Sequence, residues 1–330
     1  MRILTPKDSL MSLKNGIFLA GPATRSKEAL GWREEMMKIL QDQEYSGDVL
    51  NPENIEYGEL GENAYSIQTK WEQDAMKLAS YIIFWIPRTE KNPGLTTNIE
   101  LGQWLEHPRS YVGWPPGAIN NRYIAERCRQ CGKRFYSTME ELVSDIVIEQ
   151  NKPTRIFFTS DTHFGAKRTL ELSRRPFKDV EDMDLTLCSN WNKTVRDKDV
   201  LFHLGDFGDF DQINHLNGNI YFVKGNYEKD MEIPKDVFKE ILPNGKKVQL
   251  NNRQYRLVHE PLNGSQFCGS DEDFYLFGHI HRTCIAKRNG VNVGTDCHRF
   301  TPISLDEIEF LRDGVEKYFD QNVFTDKVVP

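Results

Sequence analysis

The sequence predicts two α/β domains, on three observations. Its 330 residues exceed what one hydrophobic core usually supports. Up to residue 150, apolar runs alternate with helical periodicity, the pattern of a parallel sheet covered on both faces. From residue 155 the chain turns to short strands that each end on a polar or charged residue, and the polar, proline-bearing segment NKPT (151–154) separates the two patterns. The expected domains are 1–150 and 151–330.

In the first domain, GIFLAG (16–21) reads as a strand and residues 29–41 as a helix, with DVLNP (48–52) a second short strand. A helix over 67–80 leads directly into YIIFWIP (81–87), apolar enough for a strand buried on both faces. Residues 97–107 and 137–150 read as helices and SYVGW (110–114) as a strand. Trp71, Trp85 and Trp104 fall within these apolar segments and read as core residues. The second domain offers strands at RIFFTSD (155–161), DVLFHLGD (199–206), NIYFVKGN (219–226), QYRLVHE (254–260), FYLFGHIH (274–281) and GVNVGTD (290–296).

Composition narrows the function class. A net charge of −7 argues against a general nucleic-acid binder, which carries a basic balance or patch. No apolar run approaches the roughly 20 residues that span a bilayer, and the N-terminal stretch lacks a signal-peptide core, so a cytoplasmic protein without a membrane partner is expected. Six scattered cysteines suit reduced thiols rather than a disulfide framework. Cys128 and Cys131 have zinc-knuckle spacing, but no second Cys/His pair follows, which leaves them a structural or incidental role.

The chemistry sits at the strand ends of the second domain. Asp161 and His163 in TSDTHFG, Asp206 in LGDFG, Asn226 in KGNYE, His259 in VHE, and His279 and His281 in GHIH would share one crevice if their strands are neighbours. Burying so many ionisable groups without a charge partner would cost several kcal/mol each, so a metal site is the economical reading. Mixed His/Asp/Asn ligation suits Mn²⁺, Fe or Zn²⁺, with manganese favoured in vitro. A bridging carboxylate between two ions roughly 3.5–4 Å apart would activate a shared water and stabilise an in-line displacement at phosphorus. His203, a lone histidine on an apolar strand, reads instead as packed core.

The ordered set SDTHFG, GDFG, GNYE, VHE and GHIH, with the later VNVGTDCHRFTPISLDEI, resembles the calcineurin-like metallophosphoesterase family across residues 155 to 311. The resemblance implies a β-sandwich flanked by helices, with Asp206 bridging two ions. Asp161, His163 and His281 would hold one ion, and Asn226, His259 and His279 the other. Many members carry a histidine after the Gly-Asn pair as leaving-group acid, whereas this chain has Tyr227. A phenol titrating near 10 is the poorer acid, so either the substrate has a good leaving group, such as a cyclic or nucleotide diester, or Tyr227 is itself the acid. Asp296 and His298 lie near these strand ends, with a site role and a structural role both open.

In the first domain a strand ends at Gly21-Pro22 with Arg25 just beyond, where backbone N–H groups and a guanidinium can meet a ribose or phosphate. PGLTTNIELG places Asn98 and Glu100 in the first turns of a helix, and a carboxylate there can attack an anomeric carbon. The segments FLAGPATRS, WREEMMKIL, VLNPE, YSIQTKWEQDAMKLASYIIFWIPR, GLTTNIELGQW and GAINNRYI resemble the nucleoside 2-deoxyribosyltransferase-like family over most of residues 15 to 145. The resemblance implies a flavodoxin-like parallel sheet, Glu100 as nucleophile and an acidic partner from Glu72 or Asp74, with Asp74 preferred. It also implies assembly of a homo-oligomer through this domain, with Asn121 acting in trans.

The expectation is a bifunctional enzyme of nucleotide metabolism acting on a nucleoside or nucleotide: N-glycosidic cleavage or transfer by the first domain, two-metal phosphoester hydrolysis by the second. Two alternatives stand beside it. The first domain would recognise a nucleotide signal that the second degrades, or it would be a silent oligomerisation scaffold.

Overall fold

The computed structural model describes residues 1–10, 13–23, 31–53, 63–234, 236–261 and 273–318. The chain forms two compact units, Met1–Pro153 with Asn214–Leu216, and Thr154–Ile213 with Asn217–Pro330. Among the described residues, no helix is long and apolar enough to cross a membrane.

Strands β1 (Ile3–Leu4), β2 (Ile17–Ala20), β3 (Val49–Leu50), β4 (Tyr81–Trp85), β5 (Ser110–Gly113) and β6 (Phe135–Tyr136) form one sheet in the order β1-β3-β2-β4-β5-β6. All its pairings are parallel. Setting the short edge strand β1 aside, this is the flavodoxin-like order, with its switch point between β2 and β4. Five helices accompany it: α1 (Trp32–Asp42), α2 (Ala64–Leu78), α3 (Leu95–Trp104), α4 (Arg122–Gln130) and α5 (Met139–Asn151). Every residue of β2 and β4 is buried, which is why both read as unbroken apolar runs. On one face Ile17, Leu19, Ile83 and Trp85 pack with Met36 and Leu40 of α1 and with Leu142 and Ile146 of α5. On the other, Phe18 meets Trp71 of α2 at 6.3 Å between ring centroids. Helix α4 lay outside the sequence expectation because its apolar stripe is only Ile124, Ala125 and Cys128 within a charged segment.

The second unit pairs two five-stranded sheets. β7 (Ile156–Thr159), β8 (Val200–His203), β9 (Asn219–Val223), β10 (Glu240–Leu242) and β16 (Ile303–Ser304) run in the order β10-β9-β8-β7-β16. β11 (Lys246–Leu250), β12 (Arg253–Leu257), β13 (Phe274–Phe277), β14 (Ala286–Lys287) and β15 (Gly290–Asn292) run in the order β11-β12-β13-β15-β14. Phe158, Phe202 and Val223 of the first sheet share one core with Tyr255, Leu257, Leu276 and Val291 of the second, which makes a β-sandwich. Helices α6 (Lys167–Leu172), α7 (Val180–Thr194) and α8 (Leu305–Tyr318) flank it. Because β7, β8 and β9 are mutually parallel, as are β12, β13 and β15, each sheet gathers its carboxyl ends along one edge.

Candidate metal centre and a second carboxylate site

Each expected ligand sits just past a strand's carboxyl end: Asp161 and His163 after β7, Asp206 after β8, Asn226 after β9, His259 after β12, His279 and His281 after β13. Their ligand atoms form two clusters, Asp161 with His163 and His281, and Asp206 with His259 and His279, each with its atoms within 4.8 Å of one another. Asn226 joins the second, its Oδ1 lying 2.9 Å from His259 Nε2 and 3.0 Å from His279 Nδ1. Asp206 Oδ2 stands 3.4 Å from His259 Nε2 and 3.6 Å from His163 Nε2, so one carboxylate reaches both clusters.

The backbone is bent to achieve this. Asp161, His163, Asp206, His279 and His281 all adopt positive φ, between 47° and 69°. Such conformations cost of order 1–3 kcal/mol each and persist where the surroundings over-determine them. At Gly225 a Cβ would stand 2.2 Å from Asp206 Oδ1, so only glycine lets the turn after β9 close on the shared carboxylate.

An outer layer orients the ligands. His259 Nδ1 lies 2.7 Å from the Leu204 carbonyl and donates to it, which turns Nε2 toward the clusters. His281 Nδ1 is 2.9 Å from Asp296 Oδ2, and Arg175 in turn holds both oxygens of Asp296, at 3.0 and 2.7 Å. Burial alone would raise Asp296, yet His281 and Arg175 bring it down to about 2. Asp296 thus resolves to an orienting carboxylate, while His298 bonds the Asn292 carbonyl at 2.7 Å in a structural role. Arg175 and Glu228 escaped the sequence reading. Glu228 is 1% exposed, and its carboxylate accepts the backbone N–H groups of Asp206 (3.0 Å), Phe207 (2.8 Å) and Gly225 (2.9 Å). Its position beside Asn226 and Tyr227 in GNYE was the available signal.

The residues fit a metal. Among the described residues His163 Nε2 is buried without a hydrogen-bond partner, and burial holds that imidazole neutral by pushing its pKa down to about 3. A buried, neutral, unpartnered ring nitrogen facing two carboxylates is a ligand atom in waiting. Tyr227 is 47% exposed, with its ring edge-on to His163 at 5.0 Å, on the open side of the centre. His203 is fully buried and bonded to Thr162 Oγ1 at 2.9 Å, inside the core. The two clusters contain no cysteine, and Cys128 is buried on α4.

In the first unit the switch point is held by an arginine that sequence reasoning quoted without a role. Arg33 of α1, 3% exposed, donates to the carbonyls of Leu19 (3.1 Å), Gly21 (2.7 Å) and Pro22 (3.3 Å) and pairs with Glu53 at 2.7 Å. Gly21 and Pro22 therefore turn their carbonyls toward Arg33, and Arg25 lies outside the described residues. Burial first, and the charge of Glu72 second, push the Glu100 carboxyl up to about 7 against the pull of Arg33. Asp74, the preferred partner in the sequence, is tied to Lys70 at 2.7 Å. On a helix Glu72 shares its stripe with Gln68 and Met76, whereas Asp74 stands about 200° away. Asn98 likewise projects about 200° from Glu100 around α3 and is hydrogen-bonded by Arg88. Asn121 is 4% exposed and donates to its own chain's Ile86 carbonyl at 3.2 Å.

Comparison with known proteins finds two family matches along the chain. Residues 14–118 match the family described as nucleoside 2-deoxyribosyltransferase like, a span that stops short of Asn121. Residues 155–302 match the calcineurin-like phosphoesterase superfamily domain. The chain is 32% identical over 169 residues to an uncharacterised protein of Methanocaldococcus jannaschii, covering 47% of this chain and 89% of that protein. A crystal structure of a protein of unknown function from Aquifex aeolicus shares 26% identity at a TM-score of 0.43, covering 48% of this chain and 100% of that one. With the ligand clusters and the flavodoxin-like sheet in place, the chain is a nucleoside 2-deoxyribosyltransferase-like domain joined to a domain of the calcineurin-like phosphoesterase superfamily.

Proposed function

We propose that the second unit hydrolyses a phosphoester with two divalent cations, and that the first breaks or exchanges an N-glycosidic bond through Glu100. The observation that carries the first half is Asp206, whose Oδ2 lies within 3.6 Å of a histidine nitrogen from each cluster. Asp161, His163 and His281 would hold one cation, and Asn226, His259 and His279 the other, with Asp206 shared. Cations held there supply Lewis-acid stabilisation of charge at phosphorus and activation of water. The chain's own residues set the rest. The Tyr227 N–H fixes Asp206 Oδ1 at 3.1 Å, leaving Oδ2 for the shared position. Its phenol stands on the open side of the centre, so either the leaving group needs little protonation or Tyr227 itself supplies the proton.

The test is hydrolysis of bis(4-nitrophenyl) phosphate and 4-nitrophenyl phosphate by the full chain, stripped of metal and then given Mn²⁺. Activity is expected only with metal. Asp206→Asn and His281→Ala should each lower it by about two orders of magnitude or more. Equal turnover by the stripped protein would refute the two-metal reading.

For the first unit the reading is supported by the partly buried Glu100 lying beside the charges of Glu72 and Arg33, with burial first and Glu72 second raising its carboxyl to about 7. In this reading Glu72, whose charge acts on Glu100, is the acidic partner rather than Asp74.

A further inference from the structure

Helices α3 and α4 line a cavity of about 680 Å³, open to solvent, on the side of α3 that Glu100 does not face. Leu101, Leu105 and Ile124 supply its apolar wall, and Asn98 and Asn120 its amide groups. Its volume lies within the range of small-molecule sites, roughly 300–1,000 Å³.

The unusual member of the lining is Arg88, in the turn that follows β4. Its residue is only 6% exposed, yet among the described residues its bonded acceptors are both neutral: the Asn98 side-chain oxygen and, at 3.3 Å, the Asn120 carbonyl. The Arg88 Nε–H is buried with no acceptor among the described residues. The carboxylate that does line the cavity, Glu106, is held by Arg127 at 3.2 Å, with its side chain 75% exposed. Buried guanidinium groups are normally matched by an anion, because a charge taken out of water without one is expensive. A planar fork with unused N–H donors at the wall of an apolar cavity suits a carboxylate or a phosphate.

We propose that this cavity is a binding site for a small organic anion, its carboxylate or phosphate head paired with Arg88 and its apolar body lying against Leu101, Leu105 and Ile124. The two head groups share one chemistry, and the test separates them.

Isothermal titration of the full, metal-free chain with benzoate and with phenylphosphonate is the direct measurement. Saturable binding of at least one is expected, with the stronger binder naming the head group. Arg88→Met should weaken it by about tenfold or more, the loss of one charge-assisted contact. Gly102→Leu supplies a second, independent variant. A Cβ at Gly102 meets nothing within 4 Å, so the added side chain enters the cavity without a backbone clash and should abolish binding while leaving the fold intact. Glu100→Gln and His281→Ala should bind as the parent does. Absence of saturable binding of either probe up to about 10 mM, a free energy weaker than about 3 kcal/mol, overturns the proposal. So does binding that survives both Arg88→Met and Gly102→Leu, or that His281→Ala removes.

Discussion

Glu100 shows what one carboxyl in a half-buried place can report. Its ordinary value is 4.5, and in the folded chain burial and Glu72 hold it protonated up to about 7. Between those values the folded state binds the extra proton, so this group makes stability fall as pH rises from about 4.5 to about 7 and leaves it level above. Glu100→Gln should therefore match the parent at pH 4 and exceed it at pH 8 by about 1–3 kcal/mol in urea unfolding. As nucleophile, Glu100 must be ionised, so base release from a deoxynucleoside should rise with pH through about 7. Glu72→Gln removes the like charge and should shift that limb to lower pH, while Asp74→Asn should leave it in place. The reverse pattern would return the partner role to Asp74. The sequence made Glu100 a candidate through its position after PGLTTN, but which of Glu72 and Asp74 shares its side depends on the rotation of α2 against the sheet. Two residues of helical phase are invisible where the flanking pattern, Trp71 to Ala75, tolerates both.

Strands and their closing turns were legible because each leaves a local signature. β2 and β4 announce themselves as apolar runs, and the ligands as polar residues where such runs stop. His279 and His281 stand two apart after β13, yet they join different clusters. Extended spacing predicts one face, but positive φ at both residues abandons the strand geometry on which that inference rests. What no local pattern reveals is the clamp between turns. Glu228 ties the turn after β8 to the turn after β9 through three N–H groups that lie up to 22 residues from it in sequence. Glu228→Gln keeps the volume and removes one acceptor oxygen, leaving at least one buried N–H unmet. The expected loss is about 1–3 kcal/mol of stability together with a 10–100-fold weaker Mn²⁺ affinity in calorimetric titration. A loss of stability with unchanged metal affinity would make Glu228 a general core residue and not a positioning one.

At the scale of the whole molecule the open matter is whether two sites in one chain serve one substrate. Joining alone does not establish it, since each unit has its own sheets and its own core. A deoxynucleoside 5′-monophosphate carries both bonds that the two sites would attack, and it allows the order of events to be read from products. The parent, supplied with Mn²⁺, should release free base and inorganic phosphate. His281→Ala should yield base and sugar phosphate, because only the glycosidic step survives. Glu100→Ala should yield nucleoside and phosphate. If the units act in sequence, one variant will accumulate its intermediate faster than the other, and that intermediate, supplied as substrate, will be consumed by the partner site alone. Phosphate release unaffected by Glu100→Ala, with no free base from any variant, would reduce the first unit to recognition or assembly. In that outcome the Arg88 cavity, which does not depend on Glu100, becomes the place to look for what the first unit recognises.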